Sequence, residues 1–390
     1  MSEIANPPER QGSGLLVVLT AMPAEQLERA LAKLAASFAA EDLLIAVPDT
    51  IAANSYPALR IVPTPTTSAS WTLTPADFVN SYHLAEKLGA RAIIVLGPES
   101  GSLEPSGLRA LAHAILSTPV DLAVPCYDLP PHAGLVNSAI LYPLTRALFA
   151  ARVRFPLAVD LGLSLRMAER LAGAAQRFSA LKQGERLVWP SNEATVAGFT
   201  INEFNVGPRT LPQPAEPDIN AILALVTGSL FADIDAKAAF WQRARQSPPA
   251  RYALPHPASQ DGAVDIAPML DAFRLAYTNL QEIWSLVLPP NSLLGLKRLS
   301  AMSAAAFRIP DSLWARIVYD FLLAYRLRTI NRGHLLGALI PLYFAWVASH
   351  FNITDSGTEP ESHIETVAAA FDADKPYLVA RWRWPDRFNP

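Results

Sequence analysis

The sequence predicts an α/β protein, with a mostly parallel sheet over residues 12–210 and a helical domain over 211–390. Three observations lead there. Short, wholly apolar runs alternate with segments of helical period in the first half, as strands covered on both faces do. The alternation stops at the proline-rich stretch Leu211-Pro-Gln-Pro-Ala-Glu-Pro217, beyond which helical patterns dominate. The 390 residues also exceed the ~100–200 of a single typical domain.

Leu15–Leu19 reads as the first strand, followed by a helix from about Pro23 in which Leu27, Leu31, Leu34 and Phe38 recur at helical spacing. Leu43–Val47 is the second strand, ending in Pro48-Asp49-Thr50, and Arg60–Val62 a short third. Thr74-Pro75-Ala76-Asp77 carries the signals of a helix start, and Gly89 those of its end. Ala92–Leu96 is a strand, the segment around Leu108–Leu116 a helix and Leu122–Val124 another strand. A loop, a short helix from Tyr142 and a second loop ending at Asp160 follow, before the helix of Arg166, Met167 and Leu171. Strands joined to helices by short connections imply a parallel sheet. Beyond 210 the helices span roughly 218–247, 264–287, 311–328, 332–350 and 361–372.

Composition narrows the function. Half the residues are hydrophobic (51%) and 17% are charged, which argues for a large core and against disorder. A net charge of −3 leaves no basic surplus for nucleic acid. The single cysteine, Cys126, excludes an internal disulfide and fits a cytoplasmic location. The longest apolar run, Leu335–Ala348, falls short of the ~20 residues of a spanning helix, so no transmembrane segment is expected. The apolar C-terminal helices could form a homodimer interface. No Walker loop, dinucleotide glycine fingerprint or Ser-His-Asp arrangement occurs.

The segment after the 122–124 strand lies where an open α/β sheet binds its ligands. It contains Val124-Pro-Cys-Tyr127, Asn137-Ser138, Tyr142-Pro-Leu-Thr-Arg-Ala-Leu148 and Pro156-Leu-Ala-Val-Asp160. These motifs resemble the retaining glycosyltransferases of GT-A fold, the group of mannosylglycerate synthase and glucosyl-3-phosphoglycerate synthase, and their bacterial relatives. Ser312–Tyr325, Ala338–Tyr343 and Asp374–Trp382 resemble that group more loosely. The resemblance implies a Rossmann-like nucleotide-diphospho-sugar-binding sheet and transfer of a hexose from a nucleotide-sugar donor to a small polar or anionic acceptor, with retention.

It further implies that Asp49 faces the nucleotide, that Asp160 organises the reacting sugar, and that Asn137, Ser138 and Tyr142 line the acceptor pocket. Each has a structural alternative: turn chemistry for Asp49, helix capping for Asp160, helix-start chemistry for the other three. The group's Asp-x-Asp motif, which binds a divalent cation (Mg²⁺ or Mn²⁺), is expected after the 92–96 strand. Here it reads Gly97-Pro98-Glu99, leaving Glu99 as one hard-oxygen ligand and His256, in the loop 245–261, as a second candidate. A Gly-Lys-Gly element is replaced by Thr72-Leu-Thr-Pro75, and an Ile-Asp-Ile-Trp-type strand by Arg186-Leu-Val-Trp189. The losses leave two alternatives open. One is a catalytically inactive relative acting as a sugar-binding or regulatory partner. The other is a metal-independent transferase in which Arg91, Lys87 or Arg186 stands in for the cation.

Overall fold

The computed structural model describes residues 14–39, 43–48, 56–57, 59–65, 67–180, 186–214, 218–244 and 264–385. Its first half is a seven-stranded sheet: β1 (Leu15–Leu19), β2 (Leu43–Val47), β3 (Ile61–Pro63), β4 (Ala92–Leu96), β5 (Leu122–Asp128), β6 (Asp160–Ser164) and β7 (Ile201–Pro208). The strand order is β3-β2-β1-β4-β6-β5-β7. All pairings are parallel except those of β6, which runs against β4 and β5. The α/β class, the mostly parallel sheet and the helical C-terminal half agree with the GT-A resemblance.

β6 and β7 are the main departures from the sequence reading. The stretch ending in Asp160, expected as a loop leading into a helix, instead opens a buried strand. Its reversed direction brings Asp160 opposite Leu96, so this strand's first residue stands at the carboxyl edge of its parallel neighbours. Arg186–Trp189 is irregular rather than a strand, and the edge strand β7 follows twelve residues later.

The helices of the sheet half are α1 (Ala24–Ser37), α2 (Pro75–Leu88), α3 (Pro105–Ser117), α4 (Tyr142–Phe149), α5 (Leu165–Ala180) and α6 (Pro190–Ala197). Thr74 and Asp77 form a reciprocal capping box on α2, and Gly89 closes it at φ 66°, a left-handed turn that glycine adopts without strain. Ser164, not Asp160, caps α5: its hydroxyl accepts from the Met167 N–H at 3.3 Å.

Beyond 210 lie α7 (Ile219–Ala236), α8 (Ala238–Trp241), α9 (Ala267–Asn279), α10 (Gln281–Val287), α11 (Pro290–Ser300), α12 (Asp311–Leu327), α13 (Arg332–Asp355) and α14 (Pro360–Arg383). One core belongs to the sheet and its helices. The other joins the C-terminal helices to Ala139–Ala151, so α4 packs with the helical half although it precedes residue 210 in sequence. The helix α13 is longer than the apolar run read from sequence. Both α7 and α13 are long and apolar enough to cross a membrane, and 56% and 72% of their most apolar windows are buried inside the fold.

Candidate active site at the carboxyl edge of the sheet

The chain turns back at β1, whose neighbours are β2 on one side and β4 on the other. In open α/β sheets the crevice outside such a switch point receives ligands. Asp160 stands on that edge, fully buried. The Tyr127 hydroxyl donates to its Oδ2 at 2.8 Å, and the Gly97 N–H to its Oδ1 at 3.3 Å. Arg209, directly after β7, donates through Nε to Oδ2 at 2.8 Å and through Nη2 to Oδ1 at 3.2 Å. The remaining guanidinium hydrogens go to Pro98 O (2.7 Å), Thr210 O (2.8 Å) and Ser102 Oγ (3.2 Å).

All five donor positions of this guanidinium are therefore directed at protein oxygens. Burial disfavours its charge, but Asp160 more than offsets this and holds its pKa above the ordinary value. Burial, and then the Asp160 charge, pushes the Tyr127 phenol well above its usual range. Asp160 is thus the anion of a closed network. Sequence offered no signal for its partner, which lies 49 positions away at the end of an unrecognised strand. Two of the three cations suggested by sequence stand elsewhere: Arg91 precedes β4 and Lys87 lies in the last turn of α2, both at the amino end of β4.

Glu99 occupies a tight turn at φ 60°. Its carboxylate accepts from the Gln26 side-chain amide and lies 3.8 Å from Arg29 Nη2, so it faces α1. Asp49 and His256 lie outside the described residues. Among the described residues, no three His, Cys, Asp or Glu side chains are grouped as a metal centre requires. Glu99 engaged with α1 and Asp160 engaged with Arg209 do not fit an Mg²⁺ or Mn²⁺ site, which needs several convergent oxygens.

The acceptor-loop residues part company. Asn137 and Ser138 begin a single π-type turn, Asn137–Leu141, that runs into α4. Such turns are frequent at functional sites. Asn137 donates to Arg154 O at 2.6 Å and lines a cavity of about 340 Å³ at the sheet edge. Ser138 faces a second, much smaller pocket, where its hydroxyl accepts from Arg154 Nη2 at 3.0 Å. Tyr142 lies on neither: its hydroxyl donates to Glu365 at 2.5 Å, within a cluster that also pairs Arg146 with Glu365 and Asp372. Tyr142 and Arg146 thereby fasten α4 to α14.

Arg154, likewise absent from the sequence reading, is buried between β5 and α14. It pairs with Glu361 at 2.8 Å, and its guanidinium lies 4.8 Å from the Phe155 ring centroid. Its backbone N–H donates to Glu203, whose carboxyl is pushed up to about 7 by burial. His132 lines the larger cavity with its ring against Phe351. A third, narrow cleft between the carboxyl ends of β1, β2 and β3 is lined by Thr20, Pro48, Thr64 and Asp77.

No family model matches this chain, and no curated protein does. Among solved structures, the chain is similar to glucosyl-3-phosphoglycerate synthase from Mycobacterium tuberculosis. The complex with Mn²⁺, uridine diphosphate and glucosyl-3-phosphoglycerate shares 14% identity over 57% of this chain and 79% of that chain, with a TM-score of 0.39. The complex with Mg²⁺ and uridine diphosphate gives 15% identity, the same coverage and a TM-score of 0.39. A further mycobacterial protein gives 14%, 57%, 74% and 0.38. Likeness at this level assigns neither an activity nor a ligand to this chain.

Proposed function

We infer that the protein is a glycosyltransferase that takes a hexose from a nucleotide-sugar donor at the carboxyl edge of its sheet and passes it to a hydroxyl acceptor. The observation that carries this reading is the placement of the 124–164 motif. Four of its residues, Tyr127, Asn137, Phe155 and Val159, line the larger cavity at the carboxyl edge. Ligands of such sheets bind at that edge. The resemblance supports retention by front-face attack. The nucleotide is assigned to the cleft beside Pro48, next to which Asp49 follows in the chain.

In this reading Asp160 is a positioning residue. It holds the hydroxyl of Tyr127, whose side chain lines the cavity, and it is itself held by Arg209. No step is assigned to a divalent cation, because the described carboxylates do not converge on one. An inactive relative would keep the Asp160 carboxylate engaged by Tyr127, Arg209 and Gly97 in the same way, so that engagement does not favour it.

The test is a thermal-shift panel of nucleotide sugars and nucleoside diphosphates, with and without Mn²⁺, followed by product analysis. A ligand at about 100 times its dissociation constant adds ~2.7 kcal/mol of stability. A donor shift that does not need Mn²⁺, together with glycosylated product, is expected. A donor shift with neither transfer nor donor hydrolysis selects the inactive binding partner. No shift with any donor sinks the reading.

A further inference from the structure

The larger cavity has a chemistry that its motifs do not announce. Its volume, about 340 Å³, lies within the ~300–1,000 Å³ range of small-molecule pockets. Four aromatic side chains stand on its wall: Trp71, Tyr127, Phe155 and Tyr343. Most of the remaining wall is aliphatic, including Ile222 and Val226 of α7, and Tyr343 is the contribution of α13. Pro212 and Pro214 form another part and bring no N–H groups to it.

No Asp, Glu, Lys or Arg is among the described residues that line it. An anionic acceptor would lose its hydration here with no fixed cation to replace it, at a cost of several kcal/mol. A neutral molecule with an apolar body would instead gain ~25 cal/mol for each Å² it removes from water. The polar side chains on the wall are His132, Gln213 and Asn137, and the rings of Trp71, Tyr127 and Tyr343 carry one polar atom each. The Asn137 amide nitrogen is engaged by Arg154 O, while its Oδ1 is buried without a hydrogen-bond partner among the described residues. An unpartnered acceptor of this kind is matched by a hydroxyl donor.

We propose that the cavity binds a neutral, hydroxyl-bearing compound with an aromatic or alicyclic body, and that this is the acceptor. The proposal rests on the transfer reading above and, of the polar or anionic acceptor implied by the resemblance, sets aside the anionic one. The acceptor oxygen bonds to the anomeric carbon as the bond from that carbon to the diphosphate oxygen breaks. The bonding pair leaves with the diphosphate, which also receives the hydroxyl proton.

The test is calorimetric titration of the full chain with three probes: 1-naphthol, 1-naphthyl phosphate and glycerate. The naphthol is expected to bind with one-to-one stoichiometry and at least tenfold more tightly than either anion. Ile222→Trp, which fills the cavity from α7, should weaken naphthol binding at least tenfold. Leu157→Trp fills it from another wall and serves if the first variant does not fold. A uridine diphosphate thermal shift on the same preparations reads the donor site separately. Absent naphthol binding, anions binding as tightly as naphthol, or binding untouched by both folded variants overturns the proposal. Naphthol binding without any nucleotide response supports the cavity's ligand class and removes its role as acceptor site. A nucleotide response without naphthol binding overturns the proposal and leaves the transfer reading standing.

Discussion

The carboxyl edge of the sheet and the cavity beside it are built from the same loops but use polarity in opposite ways. At the edge, charge is abundant and fully engaged: Asp160 has three partners, and the Arg209 donors all reach protein oxygens. On the cavity wall charge is absent among the described residues, and the polar atoms are few. The contrast separates two jobs. A closed ion-pair network fixes where three strands end, and leaves no charge to offer a ligand. An apolar wall with an unpartnered acceptor atom does little for register and leaves space for one. Tyr127 joins the two, with its hydroxyl on Asp160 and its side chain on the cavity.

The sharpest way to break this comparison is Arg209→Met. It strands Asp160 in a buried site, where removal of one ion-pair partner typically costs ~3–5 kcal/mol. Urea unfolding at pH 7 should show a loss of that size, and adding Asp160→Leu should restore much of it. A loss under about 1 kcal/mol, the level of exposed pairs, would mean that the edge is open to water and that Asp160 is free to meet a ligand.

A second test uses Glu203, which faces the Arg154 cluster on the other side of the acceptor loop. Burial raises its carboxyl from an ordinary 4.5 to about 7. Because the folded pKa is the higher, its contribution is fully present below about pH 4.5 and is lost as pH rises through about 7. Glu203→Gln keeps an oxygen to accept from the Arg154 N–H and removes the titration. Relative to the parent, the variant should gain up to ~3 kcal/mol between pH 4 and pH 8. Parallel stability–pH curves would show that Glu203 is as well hydrated folded as unfolded.

How much of this was legible depended on how far each partner lies along the chain. The parallel strands β1, β2 and β4 follow from runs of five apolar residues, and α2 from a cap, a proline and a glycine within sixteen positions. The strand β6 was not legible. Asp160-Leu-Gly-Leu-Ser164 begins with an acid whose burial makes sense only with Arg209, 49 residues on. α14 continues through Pro376 to Arg383, well past the expected end at 372. An interior proline forfeits a hydrogen bond, and here packing of both ends against α4 and α12 outweighs that loss. Asn137 and Ser138 were singled out as a pair by the resemblance, with turn and helix-start chemistry as the alternative. That they face different pockets depends on the π-type turn, which no local pattern signals.

Gly97→Ala probes the seam between the two regions and should have a smaller effect. A Cβ at this position would meet both the carbonyl oxygen and the Cβ of Val159 at 2.9 Å. Val159 lines the cavity, and the Gly97 N–H donates to Asp160. Crowding of this kind usually costs ~1–3 kcal/mol. The expected signature is coupled: lower stability together with weaker naphthol binding. Lost stability with unaltered binding would show that strain at the edge is absorbed without reaching the wall.

Glu99→Gln should do least, and that small effect is informative. Its carboxylate is about a quarter exposed and Arg29 about half, so their ion pair is screened by solvent. Glutamine keeps an oxygen for the Gln26 amide, and the backbone N–H of residue 99 still donates to Gln26 Oε1. Stability should change by less than ~1 kcal/mol, and any donor-induced thermal shift should be the same with and without Mn²⁺ in parent and variant. A hard cation prefers several charged oxygens, and Glu99 brings one that already faces α1. An Mn²⁺-dependent shift in the parent that disappears in Glu99→Gln would require this side chain to leave Gln26 and turn toward the sheet edge. The closed edge would then be one state of the site rather than its fixed form, and the division between a charged frame and an apolar binding wall would fail at this residue.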